Sequence, residues 1–112
     1  MTDTPPSDWK LKLRYGQLTT NFIHVTLIGD GKVITANEEY NTELGPAVMA
    51  LKAWVESHDE AFNMIAAIAE HLGFELKGRI ELFETEPDDP PKEKQFGYAI
   101  NFTAYRDEPK VS

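Results

Sequence analysis

Residues 47–73, AVMALKAWVESHDEAFNMIAAIAEHLG, decide the fold. Ser57 and Glu60 stand in the Ser-x-x-Glu spacing of a capping box, in which the hydroxyl receives the amide of residue 60 and the glutamate reaches back. Behind them Ala61, Ile65, Ile68 and Leu72 recur at helical spacing, and Phe62, Met64 and Ala69 widen the stripe. Asp59 and Glu60 suit the positive end of a helix, and His71 suits the negative end. Gly73 supplies the left-handed residue that stops it. The spacing predicts one main helix over 58–72, packed through one face.

A helix that begins at Ser57 needs a non-helical lead-in. Residues 47–56 contain good helix formers, but Met49, Leu51, Ala53 and Val55 alternate, which predicts a strand. Were 47–56 helical instead, a second helix would turn the fold into a ferredoxin-like two-layer sandwich.

Further strands follow on both sides. Downstream, Leu76, Gly78, Ile80 and Leu82 alternate with charged neighbours over 74–86, and Gly78 suggests a bulge or a close approach. Residues 87–95, PDDPPKEKQ, form a stiff polar loop. Phe96, Tyr98, Ile100, Phe102 and Ala104 then predict a last strand with an aromatic inner face. Upstream, Trp9, Leu11, Leu13 and Tyr15 alternate with Lys10, Lys12 and Arg14, which predicts a strand ended by Gly16. Residues 21–28 are β-branched and apolar and predict another. Gly29-Asp30-Gly31 reads as a turn, with a short return over 32–35. Residues 36–46 read as a polar loop.

The resulting expectation is a single α+β domain over 9–106, between flexible tails at 1–8 and 107–112. Its sheet is largely antiparallel, of about five strands, with one main helix on one face. From Trp54 to Phe83 the chain resembles the strand–capped helix–strand unit of many small α/β sandwich domains. That likeness is architectural and carries no functional residue.

Composition narrows the function classes. Lys and Arg number 11 against 19 Asp and Glu, a formal charge of −8. An acidic surface repels phosphate, so neither nucleic acid nor a membrane is expected as a partner. The absence of cysteine excludes disulfides, thiolate zinc sites and cysteine nucleophiles. With no basic and apolar leader at the N-terminus, a cytoplasmic location is expected.

No catalytic motif stands out, and no cofactor is expected. The serines, Ser7, Ser57 and Ser112, fall in a tail, a helix cap and a terminus, and no G-x-S-x-G is present. His58 and His71 lie on one helix about 20 Å apart, so they cannot share a metal, and no metal site is expected. The preferred reading is a non-enzymatic binding or regulatory protein acting through protein contacts, with a homodimer as the simplest partner. Its candidate contact residues are Phe22, Ile28, Trp54 and Phe83 on the second sheet face, and Asp88, Asp89, Pro90 and Pro91 in the stiff loop. The alternative is a small-molecule binder or small enzyme with a pocket between helix and sheet, using His24 or Tyr98.

Overall fold

The computed structural model describes residues 8–105. The expected tails lie outside it, apart from Asp8. In chain order the elements are α1 (Trp9–Arg14), β1 (Ile23–Val33), a single 3-10 turn (Glu38–Tyr40), β2 (Gly45–Val55), α2 (His58–His71), β3 (Phe74–Glu84) and β4 (Phe96–Ala104). The fold is α+β, an open antiparallel sheet with one main helix. The sheet has four strands rather than about five, in the order β3-β1-β2-β4.

The segment expected over 47–56 is a strand up to Val55, not a helix, which removes the ferredoxin-like alternative. It pairs with β1 without interruption, from Ile23 opposite Val55 to Val33 opposite Gly45. Ser57 caps α2: its Oγ accepts the amide of Glu60 at 3.2 Å. The reciprocal half of the capping box is replaced, because the Glu60 carboxylate accepts instead from Gln95 Nε2 at 2.9 Å. Gly73 has φ of +78°. Its carbonyl then accepts the amides of Ile34 and Thr35 and ties the helix end to the loop after β1. The helix passes over β1 and delivers the chain from β2 to β3. Its buried residues, Ala61, Ile65 and Ala69, meet Val25 and Leu27 of β1, Met49, Leu51, Ala53 and Val55 of β2, and Phe74 of β3.

Three sequence expectations are corrected. First, Trp9–Arg14 is a helix, not a strand. Its Lys and Arg favour a helix as readily as its alternation favours a strand. Asp8 and Lys12 also form an i,i+4 ion pair at 3.9 Å. The amides of Gly16 and Gln17 close its end on the carbonyls of Leu13 and Lys12.

Second, Gly29-Asp30-Gly31 is not a turn. It lies inside β1, where the pairing with β3 shifts register. The glycines allow close approach: a Cβ on Gly31 would stand 2.1 Å from the Glu75 carbonyl oxygen and 2.8 Å from the Phe74 ring. Gly78 sits opposite, where its own Cβ would lie 3.0 Å from that of Asp30. Of the bulge or close approach expected at Gly78, both are found: the β1–β3 register shifts across it, and its backbone lies against the Asp30 side chain.

Third, the aromatics of β4 do not share one face. Ala99 has φ of +54°, and the pairing with β2 slips between Ala50 and Lys52. An extra residue reverses the alternation. Phe96 and Tyr98, opposite Trp54 and Lys52, point away from α2. Ile100 and Phe102 point toward it.

Candidate functional site

On the face away from α2, β1 contributes His24 and Thr26, β2 contributes Lys52 and Trp54, and β4 contributes Phe96 and Tyr98. The loop 85–95 must carry the chain from the β3 edge to the β4 edge, and it does so across this face. It brings Thr85, Asp88 and Asp89 onto those side chains. The sheet register and the stiff loop together assemble a polar cluster around His24, the one buried polar residue of the described chain.

His24 is held at both ring nitrogens. Nε2 lies 2.6 Å from Tyr98 Oη. Nδ1 lies 3.0 Å from the Thr85 carbonyl and 3.1 Å from Thr85 Oγ1. Tyr98 Oη accepts the amides of Asp88 and Asp89 at 2.9 and 3.3 Å, so its own proton is free to go to His24 Nε2. The ring is then neutral, with its proton on Nδ1, donated to the Thr85 carbonyl. Burial lowers the His24 pKa below its ordinary value, more than the Thr85 carbonyl and the nearby Asp88 raise it.

The cluster continues outward. Lys52 Nζ donates to Asp88 Oδ2. That bond holds the Asp88 carboxyl below the usual carboxylate range and raises Lys52 above the usual amine range. Trp54 Nε1 donates to the Asp89 carbonyl at 2.8 Å, and the indole edge packs on His24 with ring centroids 5.0 Å apart. Arg14 of α1 reaches Glu86 at 3.3 Å, and the Lys92 ammonium sits 4.6 Å from the Phe96 ring centroid.

The structure thus brings together residues the sequence reading had divided between two hypotheses. His24 and Tyr98 came from the small-molecule alternative, Trp54, Asp88 and Asp89 from the contact surface. Trp54 is not exposed as expected, because the loop covers it down to 3%. Phe22 and Ile28 are half-buried, and only Phe83 of the expected face remains well exposed, at 46%. Pro90 and Pro91 are half-buried in the covering loop. His24 and Tyr98 lie on the face opposite α2, so they cannot line a pocket between helix and sheet. Lys52 and Thr85 were missed. Lys52 appears in the sequence only as one more lysine, and Thr85 is defined by where the loop starts its crossing.

Two hollows lie elsewhere. An open apolar cleft of about 300 Å³ between α2 and β4 is lined by Tyr40, Ala67, Ile68, His71, Leu72 and Ile100. A polar hollow of about 600 Å³ lies between residues 19–22, Glu56 and Lys92-Glu93. Neither is lined by His24, Tyr98, Thr85, Lys52, Trp54, Asp88 or Asp89; Lys92, at the outer rim of the cluster, lines the second. Among the described residues no group of three His, Asp or Glu side chains converges as a metal site, and no helix is long and apolar enough to cross a membrane. Comparison with known proteins returns no matching family model, no matching curated protein and no matching solved structure.

Proposed function

We propose that this chain is a small non-enzymatic binding protein of the cytoplasm that acts through protein–protein contacts, first of all with a second copy of itself. One observation carries the reading: the His24 cluster spends its polar capacity on itself. A general base needs a free lone pair facing a substrate. Both nitrogens of His24 are engaged, Tyr98 Oη already accepts two amides, and Trp54 and the loop close the space above. Among the described residues no buried side-chain nitrogen or oxygen lacks a partner. Such a network serves best as a latch that fixes the 85–95 loop on the sheet. The chemistry-bearing residues are then structural, and the surface is left to do the work.

Native mass spectrometry over micromolar to millimolar concentration tests the reading. A reversible species at twice the 12.7 kDa of one chain is expected. A chain that stays at one mass throughout would contradict self-association.

A further inference from the structure

The two edges of the sheet are built differently. The β3 edge carries Glu75, Lys77, Arg79, Glu81 and Glu84, and is bulged around Gly78. Charges and bulges of this kind block strand pairing. The opposite edge, β4 from Phe96 to Ala104, has no charged residue at all. On a chain of charge −8 that strand brings no like charge of its own to a contact between two copies. Beyond the bulge at Ala99, residues 101–104 pair regularly with β2.

The backbone polarity of that edge follows from one hydrogen bond. The Tyr105 amide donates to the Pro46 carbonyl. In an antiparallel ladder alternate residues point the same way. Thr103 and Asn101 therefore turn their amides and carbonyls inward to β2, while Ala104, Phe102 and Ile100 turn theirs outward. Among the described residues these outward groups have no strand partner, since β4 ends the sheet.

We propose that the β4 edge pairs antiparallel with β4 of a second copy, about a two-fold axis at Phe102. This rests on the reading of the chain as self-associating, and names the surface. With that axis, Phe102 faces Phe102 of the other copy, and Ile100 faces Ala104, so all the outward groups find partners in register. On the helix side the seam is apolar, continuous with the cleft that Ile100 lines. On the other side Asn101 meets Thr103, a neutral polar pair. Because the charged β3 edge cannot repeat the contact, assembly stops at a dimer with one continuous sheet.

Amide exchange on the full chain, read residue by residue by NMR at low and high concentration, tests this. Protection at Ile100, Phe102 and Ala104 should rise with concentration, while Asn101 and Thr103 stay protected at both. Ala104→Pro removes an outward amide that β2 does not use, and should weaken the dimer at least about tenfold with an unchanged circular dichroism spectrum. A dimer whose three outward amides exchange freely, or whose Ala104→Pro variant folds and associates as tightly as the parent, overturns the edge assignment and leaves self-association standing. A chain that never dimerises overturns both.

Discussion

Tyr98→Phe removes one oxygen and nothing else, so its cost can be worked from the geometry. That oxygen serves His24 Nε2 at 2.6 Å and the amides of Asp88 and Asp89 at 2.9 and 3.3 Å. The three losses are unequal. Asp88 and Asp89 are exposed, so their amides recover water and each loss costs only a few tenths of a kcal/mol to about 1 kcal/mol. His24 is 6% exposed, and its Nε2 is left with no acceptor role to fill. An orphaned buried group of this kind costs about 1–3 kcal/mol. The expected loss is about 2–4 kcal/mol, most of it at His24. That is a large part of the roughly 5–15 kcal/mol a domain has to lose, but it leaves the chain folded. Urea denaturation followed by circular dichroism measures it, with an unchanged m-value showing that both states keep their extent. A loss below about 0.5 kcal/mol, within the range of an ordinary surface substitution, would refute the claim that the loop hangs on this oxygen.

The same histidine sets a pH dependence. Its folded pKa is lowered by burial, so the unfolded chain binds the extra proton first. The contribution to stability is fully present above the unfolded value of about 6.5. It is lost as pH falls from there toward the folded pKa, and thermal midpoints across that window should drop in the parent and stay flat in His24→Gln. Ser57→Ala should cost about 0.5–2 kcal/mol, because Ser57 Oγ caps the Glu60 amide, and a denaturation midpoint equal to the parent's would remove Ser57 as the cap. Gly31→Ala should cost about 2 kcal/mol or more, since its Cβ would lie 2.1 Å from a backbone oxygen, and an unperturbed variant would place Gly31 in a turn after all.

Much of the fold is legible in the sequence where local signals and burial agree. Ser57, the apolar stripe of α2 and Gly73 each specify the helix independently. The alternation Met49, Leu51, Ala53, Val55 holds because β2 is central and paired on both sides. The errors have separate physical causes, the first being that a period of two says which residues share a face only while register is unbroken. Ala99 breaks it in β4 and sends Tyr98 and Phe102 to opposite faces. Gly29 and Gly31 mimic a turn because the same residue type serves tight turns and close strand approach. At Trp9–Arg14, six residues are too few to separate a strand from a helical turn that shares their pattern. His24 and Tyr98 could be singled out by residue type. Their meeting could not, because it depends on the strand order and on a loop that crosses the sheet, and neither leaves a local signal.

Whether association and the latch are separate properties is best settled by sedimentation equilibrium of the parent and Tyr98→Phe side by side. The expected result is one shared monomer–dimer curve rising from 12.7 kDa to twice that mass, because the seam at Phe102 lies beyond the Ala99 bulge and uses no atom of the His24 cluster. A parent that remains at 12.7 kDa at every concentration, or a folded Tyr98→Phe variant that no longer associates, would contradict it. The second result would make the 85–95 loop itself the contact surface.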